Sequence, residues 1–223
     1  MNKQKAEKIN HKQGLLEIHS IFDTIQGEGP YTGKHAVFIR LAGCNLECPG
    51  CDTDYTSDRK SMGVVEILER IVEVSTAKFV VITGGEPFRQ NITELVNKLL
   101  ENNYDVQIET NGTIYLDEFP YDKVCVVCSP KTPKIHPKIR TYIKHFKYVI
   151  DSDFVTPEHL PIKVLDLDMG SVAEPSEGCV VYVQPYDTKD ELRNKNNLNA
   201  CIDCVMTKGY TLCLQTHKII GVE

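Results

Sequence analysis

Short β-branched runs alternate with amphipathic segments along this chain, and many of the runs end in a loop of unusual chemistry. "HAVFIRLA" leads into "GCNLECPGC", "KFVVIT" into "GGEP", "YDVQIET" into "NG", "KVCVVC" into "SPK" and "CVVYV" into "QP". "VVEILERIVEV", "ITELVNKLLENN" and "TKDELRNKNNLNACIDCVM" carry the helical segments, the first with apolar residues at clear helical spacing. "LLEIHSIFDTI", "FKYVID", "IKVLDL" and "YTLCLQTHKII" read as further strands. Alternation of this kind predicts parallel pairing through right-handed crossovers. The 223 residues suit one α/β domain. In parallel α/β folds, ligands gather at the C-terminal ends of the strands. The loaded loops therefore predict one site, at one rim of a barrel or half-barrel. Residues 1–13, polar and charged, read as a flexible tail, and residues 14–223 as the core domain.

The densest loop holds Cys44, Cys48 and Cys51, spaced C-x3-C-x2-C. A structural zinc site wants four ligands, closed and tetrahedral. A cubane iron–sulfur cluster is normally held by four thiolates, so three would leave one iron open to a small molecule. From spacing alone, zinc completed by a distant His or Cys stands beside the cluster as the alternative. The remaining cysteines offer two C-x2-C pairs, Cys125 with Cys128 and Cys201 with Cys204. Residues three apart on a strand point to opposite faces, so Cys125 and Cys128 are badly placed to chelate. These four, with Cys179 and Cys213, are expected as buried small hydrophobes.

Composition removes several functions. A formal charge of −6 argues against direct nucleic-acid binding, which needs many phosphate-neutralising cations. The longest cationic stretch, "SPKTPKIHPKIR", is broken by prolines and reads as a solvated loop. No apolar run approaches the ~20 residues of a membrane span, and the N-terminus lacks the apolar core of a signal peptide. A cytoplasmic protein is expected, where nine cysteines point to metal or catalysis over disulfides.

C-x3-C-x2-C followed by Gly84-Gly85-Glu86-Pro87 resembles the radical S-adenosylmethionine (SAM) superfamily. The resemblance implies a modified, incomplete (β/α) barrel and a 4Fe–4S cluster on Cys44, Cys48 and Cys51, whose open iron chelates SAM. "FDTIQGEGPYTGKHAVFIRLAGCNLECPGCDTDY", "TGGEP", "ETNGT", "SPK", "VQP" and "LQTHKIIG" narrow it to the 7-carboxy-7-deazaguanine synthase family. "QGEG", "CDT" and "QTHK" set the chain apart from glycyl-radical activating enzymes, which share the cysteine spacing. A non-catalytic zinc-binding module is the alternative outside enzymes.

The family likeness implies conversion of 6-carboxy-5,6,7,8-tetrahydropterin to 7-carboxy-7-deazaguanine with loss of ammonia, within queuosine-type 7-deazapurine biosynthesis. It assigns the chemistry to the cluster and SAM, with no further catalytic side chain. It implies a Mg²⁺ ion held by Thr53. SAM would lie against Gly50, Cys51, Asp52, Gly84, Gly85, Glu86, Glu109 and Asn111, together with Ser129, Pro130, Lys131, Gln184, Pro185, Tyr186 and Asp187. The pterin would meet Ile25, Gln26, Gly27, Glu28, Arg40, Thr83, His217 and Glu223. A homodimer and an electron donor such as flavodoxin are further implied.

Overall fold

The computed structural model describes residues 3–11, 14–156 and 159–223. Its strands are β1 (Leu15–Ile25), β2 (His35–Leu41), β3 (Lys60–Gly63), β4 (Phe79–Gly84), β5 (Asp105–Thr110), β6 (Cys125–Cys128), β7 (His145–Ile150), β8 (Lys163–Val164), β9 (Leu167–Asp168), β10 (Val180–Pro185) and β11 (Thr211–Leu212). The helices are α1 (Val64–Val74), α2 (Thr93–Glu101), α3 (Pro137–Arg140), α4 (Glu191–Lys208) and α5 (Thr216–Ile220). Nine strands form one sheet in the order β11-β10-β7-β6-β5-β4-β2-β1-β3. From β2 to β11 every neighbouring pair is parallel. The sheet keeps two edges, as expected of an incomplete barrel.

Period-2 alternation divides each central strand between two faces. Val37, Ile39 and Leu41 of β2, Val80 and Ile82 of β4, and Val106 and Ile108 of β5 join the main core under the helices. α1 packs on β1, α2 on β5 and α4 on β10. Ala36, Phe79 and Val81 form a second small cluster on the opposite, inner face. Residues of the same parity on that face are Arg40, Thr83, Gln107, Glu109, Lys147 and Gln184.

Four sequence expectations need correction. β1 is antiparallel to β2, because the 26–34 connection is a folded hairpin loop and too short for a crossover. β3 was not expected; it pairs antiparallel with β1 and runs straight into α1. "IKVLDL" is a hairpin, not a strand. Leu165 and Asp166 both take positive φ, and β8 folds back on β9. The final run "YTLCLQTHKII" keeps only β11 and then turns into α5. Thr216 donates both its N–H and its hydroxyl to Gly27 O, at 3.1 and 3.2 Å, and left-handed Gly221 closes the turn. Tertiary hydrogen bonds override β propensity there.

Residues 3–11 also depart from a free tail. Glu7 N–H donates to Cys44 O at 2.7 Å, and Asn10 N–H to Arg89 O at 2.7 Å. The Gln4 side chain donates to Thr53 O and accepts from Tyr55 N–H. Glu7 pairs with Arg59 at 2.5 Å and with buried Arg89 at 3.4 Å. The segment thus straps the outer side of the cysteine loop. Residues 1, 2, 12 and 13 of the expected tail lie outside the described residues.

Candidate active site

The inner face opens at the C-terminal strand ends into a cavity of about 490 Å³. Arg40 of β2, Thr83 of β4, Glu109 of β5, Lys147 of β7 and Gln184 of β10 all reach it. They do so because each occupies an inner-parity position near its strand end. Around them stand Cys44, Cys48, Cys51, Asp52 and Thr53 from the cysteine loop, and Gly84 and Gly85 after β4. Asn111, Ser129 and Lys131 come from the next two loops, and Pro185, Tyr186 and Asp187 from the end of β10. Ile25, Gln26 and Glu28 close one wall, with His217 and Glu223 brought in by the C-terminal segment. The cavity therefore unites residues from both ends of the chain.

Four expected residues do not line it. Gly27 lies just behind, pressed on His217: a Cβ there would fall on the imidazole ring. Gly50 is packed in the same way against the Tyr186 hydroxyl. Pro130 is not part of the wall. Glu86, expected at the cofactor, turns its carboxylate into the fold and is fully buried. It accepts from Phe88 N–H (3.1 Å), the Thr110 hydroxyl (2.7 Å) and Asn111 N–H (2.7 Å). Burial pushes its carboxyl up to about 7, although those three donors pull it down. Its physical task is to staple the end of β4 to the end of β5.

The two glycines before it also serve the chain. A Cβ on Gly84 would strike Leu41, and one on Gly85 would strike Gly43 O and Cys44 Cβ. Gly85 N–H donates to Leu41 O at 3.3 Å and Glu86 N–H to Gly43 O at 3.1 Å. The missing side chains let the "GGEP" turn lie flush on the start of the cysteine loop. Asn45, within that loop, donates to Thr113 Oγ1 (2.8 Å) and accepts from Asn111 Nδ2 (2.9 Å). The hairpin of β8 and β9 covers the loop's far end, where Gly50 N–H donates to Leu165 O at 2.7 Å.

The thiols hold local partners. Cys44 Sγ accepts from Leu46 N–H at 3.4 Å, and Cys51 Sγ donates to Thr53 O at 3.7 Å. Among the described residues no group of three or more His, Cys, Asp or Glu side chains is arranged to hold a metal. Cys128, Cys201 and Cys204 lie in the main core at 0 % exposure. Cys213 is buried but joins the polar floor, accepting from Gly29 N–H and donating to Gln184 Oε1.

The polar wall carries a definite charge pattern. Burial raises the Glu28 carboxyl, but Lys147, Gln215 and His217 outweigh it and hold it at about 2. Burial lowers His217 below the ordinary imidazole value, against the pull of Glu28. Gln26 is 2 % exposed; its Oε1 accepts from Glu28 N–H at 3.1 Å, while its Nε2 has no partner. That donor is an exception to the rule that buried polar groups are hydrogen-bonded. Burial lowers the Arg40 guanidinium, with Asp52 and Glu223 opposing. Its Nη1 lies 3.4 Å from Thr53 Oγ1.

Among the lining residues not expected from the sequence, Lys147, Gln215 and Lys218 make the charged and polar contacts that tie the site together. Lys147 binds both Glu28 and Glu109. Gln215 donates to Glu28 Oε1 at 2.8 Å. Lys218 bridges Asp52 at 3.4 Å and Asp187 at 2.9 Å, joining the cysteine loop to the end of β10. A lysine inside the apolar run "HFKYVI" was the available signal for the first.

Comparison with known proteins agrees with this geometry. The Radical SAM superfamily profile matches residues 38–124, which span the cysteine loop and "GGEP". The chain is 40% identical to 7-carboxy-7-deazaguanine synthase of Rickettsia prowazekii (strain Madrid E), over 93% of this chain and 89% of the relative. It is 39% identical to the enzyme of that name from Rhodospirillum rubrum, over 93% and 92%. The crystal structure of QueE from Escherichia coli superposes with a TM-score of 0.69 at 23% identity, over 90% of this chain and 93% of that one, and shows the same fold. Superfamily membership implies a 4Fe–4S cluster and SAM. By kind of donor the loop fits: its three thiols line the cavity, and soft thiols are what such a cluster takes. With three cysteines on a loop locked against "GGEP" and a polar wall facing them, this chain belongs to the 7-carboxy-7-deazaguanine synthase family of radical SAM enzymes.

Proposed function

We propose that the chain converts 6-carboxy-5,6,7,8-tetrahydropterin to 7-carboxy-7-deazaguanine with release of ammonia, for 7-deazapurine biosynthesis. The observation that carries this reading is the shared cavity. The three cysteines line it together with Arg40, Gln26 and Glu28. When bound, the cluster and SAM supply one-electron cleavage of a sulfonium and hence hydrogen abstraction. The chain supplies binding, orientation and charge.

Arg40 offers a planar fork to the substrate carboxylate, a geometry a lysine cannot give. Gln26 Nε2 donates to a ring acceptor, and Glu28 accepts from the amino and amide N–H groups. Thr83 and Ile25 border the ring. His217, held neutral by burial and set by its contact with Gly27, closes the wall. Glu223 stands at the same wall, where its backbone O accepts from the Thr24 hydroxyl at 2.5 Å. The cysteine loop and the strand ends carrying Asn111, Ser129, Lys131 and Gln184 would hold SAM. Ser129 and Lys131 hold each other by a direct hydrogen bond.

A Mg²⁺ ion at Thr53 completes the proposal. The Thr53 hydroxyl has only long protein contacts, 3.4 Å each to Arg40 and Asp52. A hard oxygen so loosely held suits a cation that keeps several waters and takes one oxygen from the substrate. Thr53→Ala is expected to weaken the Mg²⁺ response of turnover by about tenfold. A magnesium titration of kcat/KM checks it, and an unchanged midpoint removes Thr53 from the ion. Reduced flavodoxin as donor, a homodimer and a cytoplasmic location are proposed on family likeness. No helix among the described residues is long and apolar enough to cross a membrane.

Anaerobic incubation of the cluster-loaded enzyme with SAM, a reductant and 6-carboxytetrahydropterin tests the reaction. Mass spectrometry should find a product lighter by ammonia. SAM cleavage without that product would leave the superfamily standing and remove the substrate.

A further inference from the structure

Two carboxylates from distant parts of the chain meet one ammonium at the floor of the cavity. Lys147 Nζ lies 2.5 Å from Glu28 Oε2 and 2.9 Å from Glu109 Oε2. The side chains of Lys147, Glu28 and Glu109 are 9%, 18% and 12% exposed. Each carboxylate gives its second oxygen to a glutamine: Gln215 Nε2 donates to Glu28 Oε1 at 2.8 Å, and Gln107 Nε2 to Glu109 Oε1 at 2.6 Å. Gln107 is fully buried and its own Oε1 has no partner, so its orientation serves Glu109. All three charged residues line the cavity.

Two neighbouring buried carboxylates without a cation would share a proton, because like charges at close range cannot both ionise. The ammonium between them offsets one of the two formal negative charges and leaves a floor rich in acceptors. Such a floor accepts hydrogen bonds and attracts a planar edge rich in N–H groups. It also tethers the hairpin loop that carries Glu28 to the central strands β5 and β7.

We propose that Lys147 is a positioning residue that holds Glu28 and Glu109 as a matched pair of acceptors for the amino–amide edge of the substrate. The role rests on the pterin reading above. Lys147 itself touches neither the reacting carbon nor the cluster; it acts through the two glutamates. Other charged or titratable groups facing the trio are Arg40, Cys125, Cys128, Lys131, Cys213 and His217.

The test uses cluster-loaded enzyme with SAM and no reductant, and measures binding of 6-carboxytetrahydropterin as a function of pH. Lys147→Met should weaken binding at neutral pH by about 30-fold, as for loss of a charge-assisted contact. Its affinity should also fall with decreasing pH at a higher pH than in wild type, since one glutamate now protonates more readily. Lys147→Arg should recover most of the affinity, and the iron content of all variants should equal wild type. Should Lys147→Met fold poorly, Lys147→Met/Glu109→Gln, which removes the unpaired charge, should fold and bind with no such acid shift. Equal binding by wild type and Lys147→Met overturns the role alone. Weakened binding with an unmoved pH profile and no rescue by arginine also overturns it, leaving a merely structural lysine. A wild type that binds no pterin overturns the function and this role together.

Discussion

Cys51→Ala is expected to abolish cluster assembly, and SAM cleavage with it. The loop provides three thiols, and among the described residues no His, Asp or Glu is grouped with them to replace a lost one. The protein-held irons of a 4Fe–4S cluster are ordinarily bound by cysteine thiolates. Cys51 is also the most accessible of the three, Cys44 and Cys48 being 8% and 7% exposed. The backbone around it is held from outside: Cys51 N–H donates to Cys48 O, and neighbouring Gly50 N–H to Leu165 O. Loss of the thiol should therefore leave the fold intact, which a thermal melt would verify. Iron and sulfide per chain, the visible absorbance of the reconstituted protein and formation of 5′-deoxyadenosine are the measurements. A variant that keeps a full cluster and cleaves SAM would remove the cysteine loop from the chemistry. Zinc near one equivalent in the anaerobically prepared wild type would do the same.

Arg40→Ala is expected to have the opposite signature. Cluster content and slow SAM cleavage without substrate should match wild type, while kcat/KM for the pterin falls by about 10² to 10³. That range corresponds to losing two charge-assisted hydrogen bonds of about 1.5–3 kcal/mol each, in part replaced by water. Arg40 stands on β2, between the paired strands β1 and β4, and its one hydrogen bond to the cysteine loop is the long contact with Thr53 Oγ1 at 3.4 Å. Arg40→Lys should recover little, because a point charge on a flexible stem does not reproduce the fork. Normal kinetics for Arg40→Ala would place the substrate carboxylate elsewhere. Loss of the cluster in this variant would instead show that Arg40 supports the cysteine loop through Asp52 and Thr53.

The separation between these two outcomes follows from the way the site is built. Cys51 belongs to a loop clamped by "GGEP", by the β8–β9 hairpin and by residues 3–11. Arg40 belongs to the inner row of the sheet. Lys218 ties the cysteine loop to the end of β10 through Asp52 and Asp187.

Much of this was legible in sequence. α1 and α2, and strands β2, β4, β5, β7 and β10, fall where periodicity places them, because each has one strongly apolar face or two. The cysteine loop, "GGEP" and "ETNG" were visible as motifs, and all contribute to one cavity. Lys147 was not visible as a site residue. Its neighbours Phe146 and Tyr148 face the core, and only the register of β7 against β6 and β10 turns Lys147 to the inner floor. Glu86 was legible as a motif residue, but not that its carboxylate turns into the fold to hold Phe88, Thr110 and Asn111, since a motif does not say which way a side chain turns.

What the sequence alone determined is local in origin. Periodicity specifies which residues share a face, and motif spacing specifies which thiols can bind one group. Those are consequences of backbone geometry over a few residues. Tertiary structure decided the rest: the reversal of β1, the helical turn of "THKII", the strap formed by residues 3–11 and the charge balance around Lys147. Each depends on hydrogen bonds or ion pairs between segments far apart in the chain, such as Thr216 to Gly27 and Lys147 to Glu28. Such contacts leave no period in the sequence, and they exist only once the sheet brings both partners to the same end.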